Sequence, residues 1–281
     1  PGRLGHFFTV LSLVSSFVAT FAYYKAATEH KQLAAAGTTV SFIVTPWQKL
    51  ARYAFITECI SILFIFQLLL YILTNHYYEY KYAWQHSGTT LEFKYLLAGL
   101  WEGQEGSFLL WSFWHCVLGL LVIRGNKPWE APAMMVISGA QFALATMLGG
   151  LYLFGVKLGS NPFILLRESG MFDNAPGMHA DFNLSNPIRP DYLLLDQIKN
   201  GNDLNPLLQN KWMVIHPPVL FLGFASTIVP FAIAVAGLWK KQFGTWIKDA
   251  LTWSLFGTAV LGVGIMMGGW WAYESLTFGG Y

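Results

Sequence analysis

The chain has 281 residues, of which 54% are hydrophobic and 11% charged, with a formal net charge of +2. Soluble domains carry about 25% charged residues, so this composition excludes an ordinary soluble domain, and so small a net charge gives a nucleic-acid partner no electrostatic support. The two cysteines, Cys59 and Cys116, form no C-x-x-C pair, which leaves a disulfide framework or a cysteine zinc site unsupported.

A bilayer core of roughly 30 Å needs about 20 apolar residues in a helix. Residues 4–24 are free of Asp, Glu, Lys and Arg. They lack a small-residue cleavage site followed by a soluble domain, so they read as a first span rather than a signal peptide. Residues 53–75 form the second span, with Glu58 as its only formal charge, and residues 106–123 the third. Residues 132–156, 217–239 and 250–273 supply the remaining three. The expected fold is an all-α polytopic membrane protein, a single transmembrane domain of about six helices.

Lys and Arg mark the inner side of a membrane protein. The linkers after spans one, three and five hold Lys25, Lys31, Lys49, Arg52, Arg124, Lys127, Lys240, Lys241 and Lys248, against Glu29, Glu130 and Asp249. The N-terminus, the loops 76–105 and 157–211 and the C-terminal tail are therefore expected outside. Both loops are rich in aromatic residues or proline: Tyr77, Tyr78, Tyr80, Tyr82, Trp84, Phe93, Tyr95 and Trp101 in the first, Pro162, Pro176, Pro187, Pro190 and Pro206 in the second. The aromatic residues are either an interfacial belt or a platform for a flat apolar ligand.

Inside the spans, Glu58 reads as a carboxylate that pairs or snorkels. His115, near the middle of its span, has three readings: a helix–helix contact, a ligand to a buried cofactor or a proton carrier. Glu105 and Ser107 open the third span, where acid suits a helix N-terminus; a cofactor or partner role stands beside that. In "WMVIHPPVLFLGF", residues 212–224, proline fits the first turn of a helix, and the residue before a proline is pushed out of helical geometry. Pro217 and Pro218 are thus expected to start the fifth span, with His216 on a non-helical residue at the outer surface. There it either caps the helix or ligates a metal, since neutral imidazole is the commonest such ligand. His179 is expected to be a solvent-exposed loop histidine.

Three stretches in order, "LWEGQEGSFLLW", "GNDLNPLLQNKWMVIHPPVLFLGF" and "GGWWAYESLTFGGY", resemble the haem-handling cytochrome c-type biogenesis family, the CcmF/NrfE haem lyases and their CcsA-type relatives. The resemblance runs from about residue 82 to the end, and "DLNPLLQ…IHPP" leans toward the CcmF type. It implies haem b as cofactor, held at an outward tryptophan-rich loop beginning at 270–281. It also implies covalent thioether attachment of haem to the two thiols of a C-x-x-C-H motif in apocytochrome c, with a haem donor protein as second partner. His216 matches the family's first external haem-iron ligand. Trp270, Trp271, Tyr273, Glu274, Gly279, Gly280 and Tyr281 match the lead-in to the haem loop. Aromatic faces suit a flat apolar ring system, and glycines let the backbone approach it.

The family continues past this point with a W-x-W-D-P core, a second external histidine and membrane-embedded haem ligands. The chain is thus expected to be the N-terminal part of a haem lyase of the bacterial inner membrane, or a subunit completed by another chain, and catalytic only when completed. Thr277 and Phe278 stand where many relatives have glycine and tryptophan, and Gln104 where many have histidine, so position 104 offers no ligand. The segment between residues 163 and 205 is longer than usual. The rival readings are a multipass transporter, which would show repeats and helices interrupted at the midplane, and a structural subunit of a membrane complex. A dihaem b-type subunit would need paired deep histidines, and only His115 lies at depth.

Overall fold

The computed structural model describes residues 1–36, 44–125 and 127–276. Six helical segments among them are long and apolar enough to cross a membrane. In chain order the helices are α1 (Gly2–Ala35), α2 (Pro46–Thr74), the short α3 (Lys81–His86) and α4 (Phe93–Glu102), α5 (Gln104–Gly125), α6 (Glu130–Gly149), α7 (Lys211–Ser226), α8 (Ile228–Trp239) and α9 (Ile247–Ser275). A small antiparallel hairpin, β1 (Leu151–Leu153) and β2 (Val156–Leu158), follows α6. The protein is an all-α polytopic membrane protein.

Lipid tails are as apolar as leucine, so helices in a bilayer associate through close van der Waals fit between small residues. Helix α1 follows that logic. Its buried residues include Gly5, Thr9, Ser12, Ser16, Ala19, Ala22 and Ala26, recurring every three or four positions, and this face packs on α2 and α6. Helix α5 joins α6 to α7, while α9 packs on α7 and α8. A bidentate ion pair, Arg52 Nε to Glu130 Oε1 and Arg52 Nη2 to Glu130 Oε2, both 2.6 Å, ties the start of α2 to the start of α6. Trp129 Nε1 donates to Asp249 Oδ2 at 2.7 Å and so fastens α9 to the same end.

At the other end, the two long connections fold together into a loop layer. Lys81 N donates to Ile164 O, and Leu166 N to Glu79 O. Phe163 is buried against Gly5, and Gly2 N donates to the Tyr80 hydroxyl at 2.9 Å, which seats the layer on α1. Tyr78, Leu166, Met178, Tyr192 and Ile198 form its small core. Tyr78, Tyr80 and Tyr82 are therefore buried, packed within the protein as neither belt nor platform. His179 is also buried, against expectation, because its two ring nitrogens reach the Asn186 and Phe172 carbonyls at 2.6 and 3.0 Å.

Burial pushes the Tyr78 phenol up to about 12 from its ordinary 10.0. The folded state thus favours the neutral phenol, so its contribution is complete below pH 10 and is lost as pH rises toward 12. Thermal unfolding followed by tryptophan fluorescence should show the midpoint of Tyr78→Phe falling less than that of the wild type across that window.

Several span boundaries differ from the sequence expectation. The first helix runs on to Ala35 and the second starts already at Pro46. In the fourth span, α6 stops at Gly149 instead of residue 156, because Gly150 takes a left-handed conformation, φ +63°, and caps it. The chain then turns into the hairpin. The fifth span begins at Lys211, six residues before Pro217. It is also interrupted at Thr227, where Pro230 has no N–H for the Ser226 carbonyl and the chain restarts as α8. That mid-span break was not expected.

Candidate functional site: His216 between two helices

His216 lies inside α7, not on a non-helical residue ahead of it, and Pro217 and Pro218 stand within the same helix. A proline inside a helix leaves the carbonyl four residues back without its donor. For Pro217 that carbonyl belongs to Met213, and Trp101 Nε1 donates to it at 3.1 Å. The replacement donor comes from the end of α4, within "LWEGQEGSFLLW". The N-terminus of α7 is also secured: Asn210 Oδ1 accepts from Trp212 N at 2.9 Å, the usual way an N-cap satisfies an orphan amide.

The His216 imidazole is half-buried and faces α9. Its Nδ1 lies 2.9 Å from the Gly264 carbonyl. A carbonyl only accepts, so Nδ1 carries the proton and Nε2 keeps its lone pair. A metal-binding histidine is usually held in just this way, by a backbone carbonyl on the nitrogen that does not bind. Space for the ring comes from Gly268, one turn further along α9, where an added Cβ would lie 2.5 Å from His216 Cε1. Gly223 and Gly264 likewise let α7 and α9 approach backbone to backbone. No cluster of three or more His, Cys, Asp or Glu that could chelate a bare ion occurs among the described residues. A single free imidazole nitrogen suits an iron already held by a macrocycle.

The tryptophan end of α9 divides between two faces. Trp271 lies one turn beyond Gly268 on the side toward α7, and its Nε1 donates to the Leu207 carbonyl at 3.2 Å. Trp270 and Tyr273 point about 200° and 140° round the helix from Gly268, at 100° per residue. Both are exposed and border a cavity of about 490 Å³ with Met266 and Gly269. Glu274 Oε1 accepts from Trp270 Nε1 at 2.6 Å, and its other oxygen accepts from Asn210 Nδ2 at 3.2 Å. The carboxylate thus links the end of α9 to the cap of α7. Trp212 packs edge-on against Trp270, centroids 6.3 Å apart. The structure brings His216 and Trp271 to one side and places Trp270 and Tyr273 on another. Gly279, Gly280 and Tyr281, with Thr277 and Phe278, lie outside the described residues.

Sequence reasoning missed Gly264, Gly268, Asn210 and the Trp101 contact. The small residues of "GVGIMMGG" spaced four apart carried the first signal, and the Asn before "KWMVIHPP" carried the second. Trp101 had no local signal, because its partner is 112 residues away.

Deeper in the bundle, Glu58 neither pairs nor snorkels: it is 1% exposed, and neither carboxyl oxygen has a hydrogen-bond partner among the described residues. His115 is buried beside Trp111, ring centroids 6.2 Å apart, in the wall of an apolar cavity of about 310 Å³ between α5, α6, α7 and α8. Its Nδ1 also has no partner among the described residues. Gln141 Nε2 bridges the Ser112 carbonyl and Cys116 Sγ, both at 3.2 Å. Glu102 pairs with His86 in the loop layer.

The multi-pass helical fold agrees with what known proteins show. The model of the cytochrome c assembly protein family matches residues 101–281, and the chain belongs to that family. Within it, the chain is 29% identical over 238 residues to the cytochrome c-type biogenesis protein CcmF of Pseudomonas fluorescens, covering 84% of this chain and 31% of that protein. It is 31% identical over 235 residues to the probable cytochrome c-type biogenesis protein NrfE of Escherichia coli K12, covering 79% and 36%. The solved structure of a cytochrome c haem lyase CcmF superposes with a TM-score of 0.65 at 21% identity, over 97% of this chain and 36% of that one. The chain thus spans about a third of the length of these relatives, and the last likeness concerns the fold.

Proposed function

We propose that the chain is the haem-presenting portion of a cytochrome c haem lyase, with His216 Nε2 as an axial ligand to the iron of haem b. The observation that carries this reading is the hydrogen bond from His216 Nδ1 to the Gly264 carbonyl, which fixes the tautomer and leaves Nε2 ready to ligate. The room that Gly268 leaves for the ring supports it, as do the exposed aromatic faces at the end of α9. Haem, when bound, supplies the vinyl groups to which the two thiols of an apocytochrome C-x-x-C-H motif add. The chain's own residues hold and orient. His216 would hold the iron, the Gly264 carbonyl would strengthen its basicity, and Glu274 and Asn210 keep the two helix ends in register.

In this reading the loop layer and the tryptophan end of α9 face outward from the bacterial inner membrane, where the apocytochrome and a haem donor protein would meet them. The segment 270–281 begins the haem loop, and the catalytic cycle belongs to the full-length enzyme. The named relatives support cytochrome c maturation as the process.

The test uses the natural-length protein purified from membranes. The Soret band of His216→Gly should weaken or shift relative to wild type and recover with added imidazole. An unchanged spectrum would remove His216 from the iron.

A further inference from the structure

The hairpin at residues 151–158 has no place in the site, yet it is the most conspicuous apolar projection of the fold. Leu151, Tyr152, Leu153 and Val156 are all exposed, and Phe154 at the tip is 96% exposed. An isolated two-stranded hairpin is marginal in water, and a cluster of exposed apolar side chains marks a contact surface.

The register shows what kind of surface. Leu151 pairs with Leu158, Tyr152 with Lys157 and Leu153 with Val156. Side chains alternate across a strand, so one face carries Leu151, Leu153, Val156 and Leu158, and the other carries the Tyr152–Lys157 pair. An aliphatic face opposite a tyrosine and a lysine is the pattern of an element lying in the boundary between acyl chains and headgroups. The outer edges of a two-stranded ribbon keep unpaired N–H and C=O groups, which the hydrocarbon core could not satisfy but the hydrated boundary can. Phe154 adopts φ +50°, unusual for a residue with a side chain, and that turn places the largest apolar group at the tip.

Position agrees. The chain leaves the last turn of membrane-spanning α6 through Gly150, φ +63°. It returns at Gly159, whose missing side chain lets the backbone lie against the Met147 carbonyl of the same turn. Both strands are rooted where α6 leaves the bilayer.

We infer that residues 151–158 form an interfacial membrane anchor, with Leu151, Leu153, Phe154 and Val156 among the acyl chains and Lys157 among the lipid phosphates. This also accounts for the apolar run of the fourth span continuing past the helix: the residues leave the helix but not the lipid.

The natural-length Phe154→Cys protein, labelled with an environment-sensitive nitrobenzoxadiazole fluorophore, tests this in phosphatidylcholine vesicles. Cys59 and Cys116 are buried and stay unlabelled. With a nitroxide on the lipid acyl chain near its ester, emission from position 154 should be blue-shifted. It should also be quenched several times more strongly than from a label at Leu184→Cys, an exposed loop position. Equal quenching at the two positions would overturn the anchor. Shielding of the 154 label from both lipid nitroxide and aqueous iodide would overturn it too, since a protein partner would then cover the tip. Should Phe154→Cys fail to fold, Leu153→Cys on the aliphatic face gives the same readout. The result does not depend on haem binding.

Discussion

Arg52→Met in the natural-length protein is expected to lower stability by about 3–5 kcal/mol, the usual cost of leaving a buried charge without its partner. Glu130 is 1% exposed, and each of its oxygens receives one guanidinium nitrogen at 2.6 Å. Methionine keeps much of the arginine stem's bulk but strands the carboxylate at the junction of α2 and α6. The double variant Arg52→Met/Glu130→Leu should recover most of the loss, because removing both partners is often near neutral. Thermal unfolding in detergent, followed by tryptophan fluorescence, separates the cases. Equal stability of the single and double variants would show that the pair does not hold the helices together.

A second large effect is expected at Gly268, which touches no ligand itself. A leucine there would force the His216 imidazole off the Gly264 carbonyl, since even a Cβ comes within 2.5 Å of the ring. Losing the partner that orients a metal-bound histidine typically costs about 10–100-fold in affinity, and haem occupancy should fall accordingly, read from the Soret absorbance per protein. Overpacking adds a stability cost of about 1–3 kcal/mol. Gly262→Leu provides the control, because nothing lies within 4 Å of a Cβ at that position on the same helix. If the two variants lose haem equally, the space at Gly268 is not what positions His216.

How much of this could be read from the residues alone varied with the range of the interactions. The spans were legible because a run of apolar residues long enough to cross a bilayer is a local property. Their ends were less so. Residues 151–156 are as apolar as the helix before them, and only Gly150, able to take a positive φ, marks the stop. The prolines at 217 and 218 misled for a related reason. Proline normally opens a helix because its missing donor costs nothing there, but Trp101 supplies the missing hydrogen bond from another helix. Tyr78 and His179 read as surface residues from the sequence alone because their burial depends on two distant loops folding onto each other. His216 was found through its motif, but the carbonyl that sets its tautomer lies 48 residues away. Glu58 reads from the sequence as a carboxylate that pairs or snorkels, yet it is buried with no hydrogen-bond partner for either oxygen among the described residues, and the sequence offers no reason for it.

The glycines that let α7 and α9 meet also decide how disturbance travels through the molecule. Helices α1, α2 and α6 form the tightly packed part, while α9 rests on α7 and α8 and leaves most of its surface uncovered. His216 therefore sits in a seam at the border of the bundle instead of in its middle. Helices α1 and α2 do not pack closely on α7 or α9, so substitutions in them reach the seam through the helices between, α4, α5, α6 and α8. The seam itself tolerates little change, because a single methyl group at Gly223 or Gly264 would meet the backbone of the facing helix, and one at Gly268 would meet the His216 ring.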